Sequence, residues 1–180
     1  MRILAENSIG LIIDMQERLY PHIHHSDQLT KNTAILIEGL KALEIKTMVT
    51  EQYTKGLGFT IQPLKTLLTN IEFIEKQAFR CCDEPQFYEE LAIEAPQHVI
   101  IAGIETHVCV LQTTIDLISS GYKPVIVEDC VGSRRPNDKA IAIERMRNEG
   151  ALITTYESLL FELLRYSGTE VFKKISKLVK

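Results

Sequence analysis

Three side chains of types that work together in acyl-transfer chemistry follow three separate apolar runs of this chain: Asp14, Lys76 and Cys109. A cysteine can attack a carbonyl carbon when a base removes its proton, and the carboxylate of Asp14 is such a base. A carboxylate beside a forming thiolate is electrostatically unfavourable, so the cation of Lys76 is needed to hold both charges. The predicted chemistry is acyl transfer through a thioester, completed by water.

The sequence around Cys109 is typical of a strand-to-helix turn. An apolar run over 99–102 ends at Gly103, and a helical pattern begins almost at once. A thiol in the first turn of a helix lies beside unpaired backbone N–H groups and the positive end of the helix dipole, which favour the thiolate. The N–H groups of Glu105 and Cys109 form the predicted oxyanion hole. The alternative is that Cys109 is a small buried hydrophobe.

The elements that must position these groups are short apolar runs that alternate with helical patterns. Six runs suit strands buried on both faces: 9–13, 45–49, 71–74, 99–102, 124–127 and 152–155. Helical patterns cover 28–43, 105–121, 137–149, 159–164 and 169–178. This order predicts a parallel sheet with helices on both sides, whose reactive groups gather beyond the carboxyl ends of the strands. Asp14, Lys76 and Cys109 are therefore expected on one rim of the sheet.

The composition indicates one domain over residues 1–180, of which 45% are hydrophobic and 24% charged. A net charge of −4 argues against nucleic acid as a partner. No apolar stretch is long enough for a membrane span or a signal peptide. The four cysteines resemble neither a disulfide framework nor a zinc site, so free thiols in the cytoplasm are expected.

Other protein classes with a parallel sheet fit the sequence less well. A dinucleotide-binding protein needs a glycine-rich turn after the first strand, where this chain has DMQER. A phosphoryl-accepting receiver domain needs an acidic cluster for magnesium, where this chain has Lys76. Two alternatives stay open: a catalytically silent binding or scaffold protein on the same fold, and a thiol redox sensor in which Cys130 resolves an oxidised Cys109.

Three motifs resemble the isochorismatase-like cysteine hydrolases: LIIDMQ at 11–16, KQAF at 76–79 and GIETHVCV at 103–110. The resemblance covers nearly the whole chain. EQYTKGLG at 51–58 and ERMR at 144–147 are most similar to isochorismatase domain-containing proteins and bacterial YcaC.

This resemblance implies a single-domain, Rossmann-like α/β/α fold with six parallel strands. It implies an Asp-Lys-Cys triad at Asp14, Lys76 and Cys109, and a cis peptide between Ile104 and Glu105 that aims an N–H group into the oxyanion hole. Members of the family commonly assemble into oligomers, so a homo-oligomer is expected.

The stretch after the second strand distinguishes branches of the family. Members that hydrolyse nicotinamide carry an Asp-x-His and a further His there to bind a metal, whereas residues 51–58 contain no histidine. Glu51 alone is a poor site for a transition metal, so neither metal nor cofactor is expected. Because true isochorismatases cleave a vinyl ether and some lack the cysteine, Cys109 favours a small amide or related carbonyl substrate. The resemblance thus implies an amidase-like, metal-independent hydrolase.

Several further residues are candidates for the substrate pocket: Gln16, Tyr20, Glu51, Tyr53 and Phe79. The three aromatic residues could form an apolar wall, or equally could belong to the core or to an interface. After the fifth strand, Arg134 and Arg135 could bind a substrate carboxylate, or form a salt bridge or a helix cap.

The remaining histidines and cysteines are predicted to have no catalytic role. His22, His24 and His25 lie in a loop without regular metal-ligand spacing. His107 is two residues from Cys109, and on a helix such residues face different directions. Cys81 and Cys82 have no recognisable base, and buried or incidental thiols are the simpler interpretation.

Overall fold

The computed structural model describes residues 2–180, and a six-stranded parallel sheet forms its centre. The strands are β1 (Ser8–Ile13), β2 (Thr47–Gln52), β3 (Phe73–Lys76), β4 (His98–Ile104), β5 (Lys123–Gly132) and β6 (Leu152–Thr154). They lie in the order β3-β2-β1-β4-β5-β6, and every neighbouring pair is parallel. The predicted Rossmann-like α/β fold is confirmed.

Helices cover both faces of the sheet. They are α1 (Ser26–Ala42), α2 (Thr54–Leu57), α3 (Gln62–Lys65), α4 (Pro85–Glu94), α5 (Leu111–Ser119), α6 (Pro136–Glu149), α7 (Tyr156–Leu164) and α8 (Glu170–Leu178). Buried residues of α1, α7 and α8 form one apolar cluster with the sheet, and those of α4, α5 and α6 form the other. None of the helices over residues 2–180 is long and apolar enough to cross a membrane.

Strand β1 shows why the apolar runs become central strands. Ile12 packs in the cluster of α1, whereas Leu11 and Ile13 pack in the cluster of α5, and all three are fully buried. Because successive side chains of a strand point to opposite faces, only a continuous apolar run fills both layers.

Strands β1 and β4 are neighbours in the middle of the sheet. The connection after β1 leads to β2 on one side and the connection after β4 leads to β5 on the other, so the two connections diverge. In open α/β sheets this divergence creates a crevice beyond the carboxyl ends of those strands. The two strands approach closely at Gly103, where an added Cβ would lie 2.4 Å from the carbonyl oxygen of Ile13. Its φ of +150° also disfavours other residues. Gly103 therefore sets the spacing at the crevice.

Some boundaries differ from the prediction. Strand β2 continues to Gln52 rather than ending at Val49, and Lys76 is the last residue of β3 rather than the residue after it. Helix α4 was not predicted. The helix that carries Cys109 begins with a π-helical turn, Thr106–Val110, before α5 starts.

Candidate active site

Asp14 and Lys76 form a buried ion pair at the carboxyl ends of β1 and β3. Lys76 Nζ donates to Asp14 Oδ2 at 2.6 Å, and neither side chain is exposed. Asp14 directly follows β1 and Lys76 ends β3, so the pair spans β2, which lies between these strands. Reactive groups were expected at the carboxyl ends of the strands, which we call the strand-end rule, and these two residues distant in sequence do meet there.

The ammonium of Lys76 is surrounded by acceptors. Besides Asp14, it donates to Gln52 Oε1 at 2.7 Å and approaches the carbonyl oxygens of Ala78 at 3.3 Å and Phe79 at 3.1 Å. Burial by itself lowers the pKa of Lys76, but the negative charge of Asp14 and its hydrogen bond to Lys76 outweigh it, and the pKa is raised. Lys76 is therefore a permanent cation of the site.

Two residues at the end of β2 support the ion pair, and the sequence analysis did not find them. Thr50 Oγ1 donates to Asp14 Oδ1 at 2.8 Å, which leaves each carboxylate oxygen with one partner. Gln52 accepts from Lys76 and donates from Nε2 to the carbonyl of Gln77 at 2.6 Å. Had the end of β2 been placed three residues later, the strand-end rule would have indicated Gln52.

Cys109 completes the group from the π-helical turn and is 6% exposed. The expectation that its position at a helix start favours the thiolate was wrong. Burial raises the pKa of Cys109, and the negative charge of Asp14 raises it further, although Lys76 lowers it. The helix start is outweighed because the thiol is desolvated and faces a carboxylate. Cys109 is therefore a neutral thiol near the carboxylate of Asp14.

The backbone around the site is unusual. Asp14, Tyr53 and Glu105 each follow a strand directly and have φ values of +53°, +40° and +45°. Such left-handed conformations cost roughly 1 kcal/mol or more in residues with a side chain, and they cluster at functional sites. The cis peptide expected at Ile104–Glu105 is absent, because all peptide bonds over residues 2–180 are trans. The chain turns through the left-handed Glu105 instead.

Glu105 anchors the turn that carries the thiol. Its side chain is 5% exposed, and Oε1 accepts from Nε of Arg134 at 2.7 Å. Oε2 lies 3.2 Å from Nδ1 of His107, which also lies 3.0 Å from the hydroxyl of Ser133. His107 thus contacts Glu105 and Ser133, and its Nε2 lies 3.9 Å from Oδ2 of Asp138 in α6. Arg134 forms a salt bridge within its own chain.

The predicted pocket residues comprise two buried polar residues, Gln16 and Glu51, and three aromatic residues. The side chain of Gln16 is fully buried and holds the segment after β2, because it exchanges hydrogen bonds with the Gln52 backbone and donates to Gly58. Glu51 is also buried and accepts the N–H of Thr60 at 2.7 Å. Both residues support the loop that carries Tyr53.

The aromatic candidates also differ among themselves. Tyr53 and Phe79 are 46% and 56% exposed, and the backbone carbonyl of Phe79 is one of the acceptors around Lys76 Nζ. Tyr20 packs instead against the core on the α1 face, and its hydroxyl donates to Asp27. Tyr20 thus belongs to the start of α1.

The other cysteines occupy distinct environments. Cys81 lies near Asp14 and Lys76, with Sγ 3.9 Å from Thr50 Oγ1, and burial raises its pKa to about 11. Cys82 is half-buried, and its pKa is raised to about 12, chiefly by desolvation. Cys130 packs in the apolar cluster on the opposite face of the sheet from Cys109. That placement contradicts its suggested role as a resolving cysteine.

Comparisons with known proteins agree with this architecture. A model of the isochorismatase domain matches residues 8–158. The chain belongs to the isochorismatase family. Isochorismatase domain-containing protein 2A of Mus musculus is 35% identical over 180 residues, which cover 99% of this chain and 85% of the mouse protein.

Solved structures extend the family likeness to the fold. The MAR1 ribonuclease of Caenorhabditis elegans matches with a TM-score of 0.94 and 38% identity, covering 99% of this chain and 92% of that one. YcaC of Escherichia coli, described as an octameric hydrolase of unknown specificity, matches with a TM-score of 0.93 and 22% identity, covering 99% and 89%. The resemblance to isochorismatase domain-containing proteins and YcaC is therefore confirmed, and the fold is that of isochorismatase-family hydrolases.

Proposed function

We propose that this protein is a cysteine hydrolase that cleaves a small amide or related carbonyl compound through a thioester on Cys109. The observation that carries the proposal is the buried Asp14–Lys76 ion pair beside a neutral thiol. A buried ion pair is costly to desolvate and is weak support for stability, so its presence at a sheet crevice favours a chemical role.

The proposed reaction begins when the substrate carbonyl approaches Sγ of Cys109. As the C–S bond forms, the thiol proton passes to the carboxylate of Asp14, and Lys76 offsets the negative charge that the substrate gains. The protonated Asp14 returns this proton to the departing nitrogen or oxygen, which leaves an acyl-enzyme. Asp14 then accepts a proton from a water molecule that attacks the thioester. As the C–S bond breaks and the carboxylic acid leaves, Asp14 returns this proton to Sγ, which regenerates the thiol.

Backbone N–H groups of Glu105 and Cys109 are proposed to bind the oxyanion of the tetrahedral intermediate. Glu105 has a left-handed φ and a side chain fixed by Arg134, so the orientation of its peptide group is constrained. Preorganised donors of this kind stabilise developing charge without reorganisation.

The outer wall of the substrate pocket is proposed to be completed in a homo-oligomer. Tyr53, Phe59 and Phe79 are each about half exposed, at 46%, 53% and 56%, and belong to segments that contact the site. Large exposed aromatic side chains are typical of interfaces. The E. coli protein, which shares this fold, is described as an octamer, and this is consistent with a homo-oligomer.

The proposed hydrolysis uses no metal. Over residues 2–180, no three His, Cys, Asp or Glu side chains come together as a potential metal site. In the proposed mechanism Lys76 lies beside Asp14 and Cys109. Its positive charge offsets the negative charge of the transition state, which is a task that a metal ion can perform in other hydrolases. An intracellular location is proposed from the four free cysteines, although a similar protein of Phytophthora sojae is named a secreted effector.

RNA cleavage is a second candidate, because the similar C. elegans protein is named a ribonuclease. The net charge of −4 and a triad with almost no exposed surface fit a phosphodiester backbone less well than a small molecule. Incubation of labelled RNA with the wild type and Cys109→Ala tests it. Cleavage by the wild type that the variant loses would favour this function over amide hydrolysis.

The main experiment is a screen of small amides, carbamoyl compounds and esters against the wild type, Cys109→Ala and the matched control Cys82→Ala. We expect turnover by the wild type and the control but not by Cys109→Ala. Intact-mass analysis should detect an acyl adduct on Cys109 that hydroxylamine releases. Turnover that survives Cys109→Ala would refute the mechanism.

A further inference from the structure

A second cavity lies between α1, the end of β5 and the start of α6. Its volume is about 330 Å³, which suits a small metabolite. Polar side chains of His24, Gln28, Asn32, Asp129 and Lys139 line it, and none of the triad residues does. The cavity is therefore a site separate from the proposed hydrolase centre.

Two side chains of opposite charge face this cavity without meeting. Among residues 2–180, no carboxylate oxygen lies within 4.0 Å of Lys139 Nζ, and the ammonium has no hydrogen-bond acceptor. Asp129 accepts the N–H of Tyr156 on Oδ1 at 2.9 Å, while Oδ2 has no such partner within the same residues. Both charged groups thus keep free bonding capacity toward the cavity.

Both groups are also partly desolvated. Burial lowers the pKa of Lys139, and the negative charges of Glu128 and Asp129 only partly offset this. Burial raises the pKa of Asp129, and the N–H of Tyr156 and the charge of Lys139 only partly offset this. Desolvating an acid and a base without bringing them into contact is unfavourable, because neither gains a direct ion pair. A ligand that contacts both would remove this penalty.

Hydrogen bonds fix the walls of the cavity in advance. Gln28 donates to Asn32 at 2.8 Å, and Asn32 donates to the backbone carbonyl of Asp129 at 2.9 Å. Across the opening, the N–H of His24 donates to the carbonyl of Ser133 at 3.1 Å. The two charged groups therefore project from elements that are tied together, so a ligand would find them already placed.

We propose that this cavity binds a small zwitterionic amino acid, with its carboxylate on Lys139 and its ammonium on Asp129. A simple anion would pair with Lys139 but face the negative charge of Asp129. A simple cation would have the reverse difficulty. A molecule that carries both charges satisfies both groups, and the amides of Gln28 and Asn32 offer further polar contacts.

Isothermal titration calorimetry on the full chain tests the proposal. The probes are glycine, β-alanine and γ-aminobutyrate, which differ in the separation of their charges, with butyrate and butylamine as single-charge analogues. We expect saturable binding of at least one amino acid and binding of the analogues at least about tenfold weaker. An analogue that binds as tightly as the best amino acid, or no saturable binding of any probe, would overturn the proposal.

Variants connect the binding to the two charges. Lys139→Met and Asp129→Asn should each weaken binding by about tenfold or more, and the asparagine keeps an acceptor for the N–H of Tyr156. Lys177→Met, at an exposed lysine of α8, is the matched control and should bind as the wild type does. Cys109→Ala should also bind normally, so this result is independent of the hydrolase proposal. Unchanged affinity in Lys139→Met would refute the assignment.

Discussion

Lys76 Nζ lies 2.6 Å from Asp14 Oδ2, and this contact joins the two sides of the strand between them. Strand β2 supplies a partner to each member, Thr50 for the carboxylate and Gln52 for the ammonium. The charges are thus held by three strands. Because the pair is entirely buried, loss of either member leaves a charge without compensation.

Lys76→Met should destabilise the protein by about 3 to 5 kcal/mol, because Asp14 would remain as an unpaired buried carboxylate. Urea unfolding followed by circular dichroism measures the loss. The double variant Asp14→Asn with Lys76→Met removes both charges and should recover much of the stability without activity. A double variant that is less stable than Lys76→Met would contradict this account of the pair.

Asp14→Asn should accelerate alkylation of Cys109 while it abolishes turnover. The carboxylate raises the pKa of the thiol and Lys76 lowers it, so removal of the carboxylate increases the thiolate fraction. Iodoacetamide labelling at about pH 8, with peptide mass analysis, compares the two proteins. Labelling of Cys82, whose pKa desolvation raises to about 12, provides the internal control. Slower labelling of Cys109 in the variant would show that Asp14 does not suppress the thiolate.

Gln52→Leu should lower kcat/KM by about tenfold or more, because Lys76 loses one of its close acceptors and its orientation. The loss is expected in kcat rather than KM, since Gln52 positions Lys76 and does not face the substrate in the proposed mechanism. Gln62→Leu, at an exposed glutamine, should be close to neutral. A change in KM alone would instead indicate direct substrate contact.

His98 should make the fold less stable in acid. It is fully buried at the start of β4, neither ring nitrogen has a hydrogen-bond partner among residues 2–180, and burial lowers its pKa below the usual 6.5. Below pH 6.5, His98 binds a proton in the unfolded chain more readily than in the folded protein. The free energy of unfolding therefore falls as the pH drops below 6.5.

Replacement by leucine measures this contribution. Between about pH 7.5 and pH 5, His98→Leu should lose less stability than the wild type in urea unfolding. His22→Gln, at an exposed histidine, should follow the wild-type profile. Parallel curves for His98→Leu and the wild type would exclude His98 as the source.

The layout of the site was predictable where apolar runs mark the strands. Asp14, Lys76 and Cys109 follow or end such runs, and a parallel sheet brings the carboxyl ends of its strands to one edge. The last three residues of β2 were not predicted as part of the strand, because Thr50, Glu51 and Gln52 are polar, although all are buried. Their burial is compatible with the fold only because partners distant in sequence, such as Gln16, satisfy them.

Two other features had physical causes that local sequence does not contain. Burial and the negative charge of Asp14, rather than the helix start, dominate the pKa of the Cys109 thiol and raise it. Helix α4 was missed because it buries only Phe87 and Leu91, too few positions for a clear helical period.

A nucleophile that rests as a buried neutral thiol also protects the protein that carries it. Peroxides and adventitious electrophiles react with thiolates, so an exposed, acidic cysteine is steadily lost to oxidation between turnovers. Cys109 is 6% exposed with a raised pKa, and in the proposed mechanism it becomes reactive only when a bound carbonyl and Asp14 act on it together. The same arrangement that delays activation until substrate arrives should therefore lengthen the working life of each molecule.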